Sequence, residues 1–160
     1  MIYNGRAGHS SPPPYVSGYK DGATWFKGCF KTSGMKQVLI VDDEAQMREL
    51  LSLYLSKHGY EVSTAGSSSE TLQVVEQKQI DIVVLDIGLA NEDGLKLLSA
   101  IKARRPETQV VMLTGMGFVE DLLQEAHQKG ADGYVSKGLP MDELLLALQR
   151  ASGPATASAR

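Results

Sequence analysis

What this 160-residue chain lacks narrows its chemistry first. It has one cysteine, Cys29, so neither an internal disulfide nor a thiolate metal cluster is available. Its three histidines, His9, His58 and His127, are far apart and not at the spacing of a zinc site. No apolar run approaches the roughly 18 residues of a membrane-spanning helix, and no continuous apolar stretch of the secretory type opens the chain. A reducing, cytoplasmic location and no membrane association are therefore expected. There is no Walker-type glycine loop, no GxGxxG fingerprint and no catalytic Ser/His/Asp set. Positive charge is also scarce. Residues 35–152 hold 11 Lys and Arg against 18 Asp and Glu, a net −7, whereas the first 34 residues carry four basic residues and one acid, a net +3. A folded part this acidic is a poor match for a phosphate backbone and argues against direct nucleic-acid binding. It suits metal cations or basic partners better.

What is there divides the chain into three. Residues 1–34 are rich in Gly, Ser and Pro, include the run Pro12-Pro13-Pro14, and show no period of 2 or 3.6. A disordered N-terminal extension is expected; Trp25, Phe26 and Phe30 leave a short aromatic docking segment as the alternative. Residues 153–160 are small and polar, a frayed tail or the beginning of a truncated linker. Residues 35–152 alternate short apolar runs with helix-spaced segments, five of each. The runs are QVLIV, YEVSTA, IDIVVLD, QVVMLT and DGYVSK. Helix stop and start signals fall between them: His58-Gly59, Ser67 three before Glu70 as a capping box, Asp93-Gly94 at a helix start, Pro106 as a stop, and Pro140 near a first turn. Nearly continuous apolar strands alternating with amphipathic helices predict an α/β domain: a doubly wound, five-stranded parallel sheet with helices on both faces. In such a sheet the site lies at the carboxyl ends of the strands.

Those ends carry the chemistry. The first strand runs into Asp42-Asp43, the third into Asp86, the fourth into Thr114 and the fifth into Lys137. Taken singly, each has an ordinary reading: a turn-forming acid, a β-forming threonine, a solvated lysine. Taken together they place acid, acid, hydroxyl and amine on one edge. Like charges about 4 Å apart cost on the order of 4 kcal/mol per pair at an effective dielectric near 20. A hard cation such as Mg²⁺, which takes oxygen ligands, offsets that repulsion. Asp42, Asp43 and Asp86 would supply carboxylates and Gly88 a backbone carbonyl. The cation, Lys137 and the Thr114 hydroxyl would then stabilise a phosphoryl group, with Asp86 as the carboxylate nucleophile that forms an acyl phosphate.

The stretches VLIVDDE, VVLDIGLANEDG, VVMLTG and ADGYVSKGLP resemble the receiver domain of bacterial two-component response regulators. The resemblance covers about residues 35–152. It implies a flavodoxin-like strand order 2-1-3-4-5 and a phosphorylation-activated signalling switch rather than an enzyme on external substrates. Asp42 and Asp43 would bind Mg²⁺, Asp86 would accept a phosphoryl group from a histidine kinase or phosphotransfer protein, and Thr114 and Lys137 would read the phosphorylated state. Tyr134, three before the lysine, corresponds to the family's switch aromatic and would repack the surface of helix 4, strand 5 and helix 5. A downstream protein target, an output domain outside this sequence, or a homodimer formed on phosphorylation would receive the signal. Two departures concern loop geometry. Ala90 stands where the family commonly has proline, and Gly138 follows the lysine where proline is frequent. By the same resemblance, Gly88 and Met116 would occupy positions that tune attack of water on the acyl phosphate, and small Gly88 predicts a phosphoryl lifetime that is not unusually long. Two other readings compete. A carboxylate-nucleophile phosphatase would need a second acid at position 88, which is glycine. A phosphorylation-independent binding module would not need the complete set of acids, threonine and lysine.

Overall fold

The computed structural model describes residues 34–153. All but Gly34 of the expected N-terminal extension, including its aromatic segment, and all but the first residue of the C-terminal tail lie outside them. The chain order is β1 (Lys36–Val41), α1 (Ala45–Lys57), β2 (Tyr60–Ala65), α2 (Ser68–Gln77), β3 (Ile82–Asp86), α3 (Gly94–Arg104), β4 (Gln109–Thr114), α4 (Glu120–Gln128), β5 (Gly133–Ser136) and α5 (Met141–Ala151). All strand pairs are parallel, and the spatial order is β2-β1-β3-β4-β5. The alternation and strand order expected from the sequence are therefore both present.

The period-2 alternation of side chains divides each central strand between two cores. Val38, Ile40, Ile82, Val84, Val111 and Leu113 face α1 and α5, where Leu51, Leu55, Leu144 and Leu148 meet them. Leu39, Val41, Val83, Leu85, Val110 and Met112 face the other way, onto Val75 of α2, Leu98 and Ile101 of α3 and Ala126 of α4. Both faces are covered, which is why β1, β3 and β4 read as unbroken apolar runs. β2, at one edge, is mostly half-exposed.

Helix ends follow the sequence signals with one shift. Ser67 caps α2 by accepting from the Glu70 amide (3.2 Å), but the Glu70 carboxylate accepts from the Gly66 amide (2.7 Å) rather than from that of Ser67. The reciprocal half of the capping box has moved one residue outward, onto the β2–α2 turn. Asp93 caps α3 through the Leu95 amide (2.9 Å). Gly94 follows because α3 starts directly on the backbone of the β3–α3 loop. A Cβ there would lie 2.6 Å from the Asp86 carbonyl oxygen and 2.8 Å from Ile87 Cα, distances no side chain tolerates.

Candidate functional site

Strand register brings the sequence-predicted residues together. Val41 pairs with Leu85, so Asp42 and Asp86 follow side by side. Asp86 pairs with Leu113 and Thr114 with Ser136, so Thr114 and Lys137 complete the same edge. The Lys137 amide donates to the Thr114 carbonyl (2.7 Å), continuing the β4–β5 ladder one residue beyond β5. Carboxylate oxygens of Asp42, Asp43 and Asp86 all lie within 4.8 Å of one another. Asp42 and Thr114 are fully buried, Asp86 is 4% exposed, and Asp43 is open to solvent.

One local device recurs at these strand ends. Asp42 Oδ1 accepts from the Glu44 amide (2.9 Å), Asp86 Oδ1 from the Gly88 amide (3.0 Å), and Thr114 Oγ1 from the Met116 amide (3.1 Å). In each, a side-chain oxygen takes the N–H two residues on, the usual reason for Asp and Thr to end a strand. The turn-forming reading is thus correct for one oxygen of each carboxylate. It does not account for the other. Asp86 Oδ2 accepts from Lys137 Nζ at 2.9 Å, and Asp42 Oδ2 lies 2.7 Å from the same nitrogen. Asp42 Oδ2 is buried, and among the described residues its one close polar contact is this ion pair with Lys137. Glu44 adds a fourth acid 3.9 Å from Lys137.

Lys137 is the cation of this cluster, its side chain 14% exposed. Burial disfavours its ammonium form, but the contacts with Asp42 and Asp86 outweigh burial and hold its pKa above the ordinary lysine value. It stays charged at neutral pH. One ammonium against two buried carboxylates, Asp43 and Glu44 leaves the pocket short of positive charge. That deficit, with three carboxylates whose oxygens lie within 4.8 Å of one another and an all-oxygen donor set, fits a hard divalent cation. Asp42, Asp43 and Asp86 are the side chains that would hold it.

Tyr134 projects from β5 beside this edge. It is half-buried, donates its hydroxyl to the Gly117 carbonyl (3.3 Å), and has its ring 5.8 Å from that of Phe118. The predicted switch aromatic is therefore tied to the β4–α4 loop, the segment that begins at Thr114. Nothing in its spacing announced that bond, since the acceptor is a backbone carbonyl 17 residues earlier in the chain.

Comparison with known proteins agrees with this geometry. The family model "Response regulator receiver domain" matches residues 38–149. The chain belongs to that family. Among curated relatives, a putative NtrX-like response regulator of Rickettsia felis is 36% identical over 116 residues, covering 71% of this chain and 24% of that protein. The chain thus spans about a quarter of the length of such relatives. Among solved structures, the chemotaxis protein CheY4 of Vibrio cholerae is similar with a TM-score of 0.70 and 30% identity, over 74% of this chain and 99% of that one. A response regulator from Burkholderia pseudomallei, solved with a phosphorylated aspartic acid, calcium ion and citrate, has a TM-score of 0.68 and 28% identity, over 78% of this chain and 73% of that one. The fold is the CheY-like receiver fold, and the domain is a signalling module of two-component systems. Among the described residues no helix is long and apolar enough to cross a membrane.

Proposed function

We propose that residues 35–152 form a cytoplasmic phosphoacceptor switch in which Asp86 takes a phosphoryl group from a phosphohistidine donor. The observation that carries this reading is the shared edge on which the Asp42 and Asp86 carboxylates both lie within 2.9 Å of the Lys137 ammonium. In the transfer, an Asp86 carboxylate oxygen forms a bond to phosphorus as the phosphorus–nitrogen bond of the donor imidazole breaks, leaving an acyl phosphate and a free histidine. Asp86 Oδ2 is the oxygen directed at the pocket, since Oδ1 is held by the Gly88 amide. Bound by Asp42, Asp43, Asp86 and the Gly88 carbonyl, Mg²⁺ would supply charge neutralisation for the carboxylates and the phosphoryl oxygens. Lys137 would exchange its carboxylate partner for a phosphoryl oxygen. Among the described residues the Thr114 hydroxyl accepts from the Met116 amide and makes no donated hydrogen bond, so its hydrogen is available to a phosphoryl oxygen. Donating it to the phosphoryl group would draw the β4–α4 loop inward and strain the Tyr134–Gly117 bond. The populations of the α4–β5–α5 surface would then shift.

An apolar groove beside the pocket would suit the donor. Met47, Leu50, Leu139, Pro140 and Met141 line an apolar groove of about 110 Å³ that also includes Lys137, and Leu50 is half-exposed. A histidine kinase or phosphotransfer protein docking there would present its imidazole at the edge of the pocket. The signal would pass to a downstream protein, to an output domain, or to a second copy of the chain.

The test is labelling with a radioactive small acyl-phosphate donor or a histidine kinase, with and without Mg²⁺, on the unmodified chain and Asp86→Asn. Label is expected only with Mg²⁺ and only in the unmodified chain. Label that persists in Asp86→Asn would reject Asp86 as the acceptor. A Cβ at Gly88 would come into van der Waals contact with Asp86 Oδ1 at 3.7 Å, so glycine there leaves the carboxylate less covered than any other residue would. A label half-life on the order of a day would contradict the expected role of that glycine.

A further inference from the structure

Arg48 takes no part in the constellation above, yet it touches the metal arm from behind. It sits on the first turn of α1, half-buried, and donates from Nη1 to the Asp42 carbonyl oxygen at 2.6 Å. That carbonyl belongs to the peptide linking the two acids, Asp42 and Asp43. The other end of Asp42 is fixed as well, its amide donating to the Ala65 carbonyl (3.2 Å) on β2. The guanidinium lies against Gly66 on the β2–α2 turn. A Cβ at Gly66 would sit 3.2 Å from Nη1 and 3.5 Å from Cζ. Glu70 holds that turn through the Gly66 amide (2.7 Å). Three segments therefore close on one guanidinium: the end of β1, the start of α1 and the β2–α2 turn.

Resting on the Mg²⁺-dependent reading above, we propose that Arg48 is a positioning residue for the metal site. It fixes the plane of the Asp42–Asp43 peptide and so aims the exposed Asp43 carboxylate at the cation. The chemistry suits that task better than a second lysine would. A guanidinium donates in a fixed fork and is always charged. Directed at a backbone carbonyl, it adds positive charge next to the acids without occupying a carboxylate oxygen. Lys137 does the opposite: it contacts the same oxygens that a metal needs. Arg48 thus moderates repulsion and leaves the ligand atoms free. Gly66 is needed here for space alone, because any side chain at that position would press on the guanidinium.

Removal of partners that orient metal ligands typically weakens affinity tenfold to a hundredfold. Mg²⁺ titration by calorimetry on the full chain should give at least about a tenfold weaker affinity for Arg48→Ala. At saturating Mg²⁺ the labelling rate should return to that of the unmodified chain, which separates positioning of the cation from the transfer itself. Gly66→Ala, which keeps the charge and displaces the guanidinium by a few tenths of an ångström, should weaken Mg²⁺ in the same direction by a smaller factor. Combined with Arg48→Ala it should add nothing, as expected for residues acting through one contact. An Arg48→Ala chain that is less stable but binds Mg²⁺ within twofold of the unmodified chain would make Arg48 a structural brace and overturn the proposal. If Arg48→Ala does not fold, Gly66→Ala decides alone, and unchanged Mg²⁺ affinity there overturns it. Failure of the unmodified chain to bind Mg²⁺ overturns this proposal together with the reading on which it rests, whereas normal binding by the unmodified chain and by Arg48→Ala overturns this proposal only.

Discussion

The two ends of the sheet use the same residue types to opposite effect. At the amino ends of the strands, Lys102 on α3 donates to the Asp132 carboxylate (2.7 Å) and to the Thr108 carbonyl (2.8 Å). The same Asp132 oxygen accepts from the Val110 amide (2.9 Å). The Asp81 carboxylate accepts from the Gln37 amide (2.9 Å), and the fully buried Thr108 donates to the Ile80 carbonyl. The Lys102–Asp132 pair balances one cation with one anion, and the polar groups around it find backbone partners. At the carboxyl ends, Lys137 faces Asp42, Asp86 and Glu44 at once, so one cation is shared among three acids. A lysine–aspartate contact is therefore not a sign of function in itself. The imbalance of charge is. The satisfied end locks strands in register, and the end left short of positive charge is the one proposed to bind a cation.

That difference is sharpest in what happens when each lysine or its partner is removed. Lys137→Met would leave two buried carboxylates with no cation. Breaking a buried pair by removing one partner costs about 3–5 kcal/mol, and a metal-free chain should lose close to 3 kcal/mol in urea denaturation at neutral pH. Mg²⁺ should then restore stability to the variant more than it adds to the unmodified chain. Asp132→Ala should cost about 2 kcal/mol, less because the pair is partly exposed (17% and 29%). Its cost should be the same with Mg²⁺ as without. A Mg²⁺-dependent cost at Asp132, or a Mg²⁺-independent one at Lys137, would erase the distinction between the two ends.

Removing an acid rather than the lysine should reverse the sign at the carboxyl end only. In Asp42→Asn the amide oxygen can still accept from the Glu44 amide as Oδ1 does now, while one like charge leaves a pocket that has too many. The metal-free protein should gain about 1 kcal/mol, as is common when a functional site is neutralised, and Mg²⁺ binding should fall below detection. Loss of stability in the metal-free variant would mean that the Lys137–Asp42 attraction outweighs the repulsion among the acids.

The sequence made the carboxyl end legible because its chemistry sits on consecutive strand ends. Asp42, Asp43, Asp86, Thr114 and Lys137 can be read off once the strands are placed, and strand placement follows from apolar runs that both faces of the sheet require. The strand order came from the family resemblance, not from periodicity, since an apolar run does not say which neighbour it pairs with. The contacts that orient the site were not legible. Arg48 bonds a backbone carbonyl, Tyr134 another, and Glu70 reaches Gly66 instead of Ser67. Main-chain acceptors carry no residue identity, so composition and spacing cannot announce them. The β3–α3 loop is a further case. Ala90 replaces the expected proline, and the chain turns through Asn91 at φ 59°. Glu92 then fastens the loop to α2 by accepting from the Ser68 amide (2.7 Å) and hydroxyl (2.6 Å).

That clasp gives the smallest and most local test, since it belongs to the carboxyl end yet is satisfied like the amino end. The hydrogen bonds from Ser68, side chain first and then backbone, hold the Glu92 carboxyl below the ordinary glutamate range. A group whose pKa is depressed by folding stabilises the fold above its unfolded value and loses that contribution as pH falls through the folded value. The clasp should therefore be fully present at neutral pH and release only below about pH 4.5, the ordinary value for this group. Ser68→Ala removes the hydroxyl donor and leaves the amide, so the Glu92 midpoint, followed by carboxyl NMR, should move part of the way back up. Because the clasp is solvent-exposed, the unfolding midpoint at neutral pH should barely change. If the loop after Asp86 is positioned by this clasp in place of a proline, Ser68→Ala should also broaden the amide resonances of Asn91 and Glu92 while leaving those around Asp132 untouched. An unchanged Glu92 midpoint would show that the Ser68 hydroxyl does not hold this carboxylate, and that the turn at Asn91 alone shapes the loop.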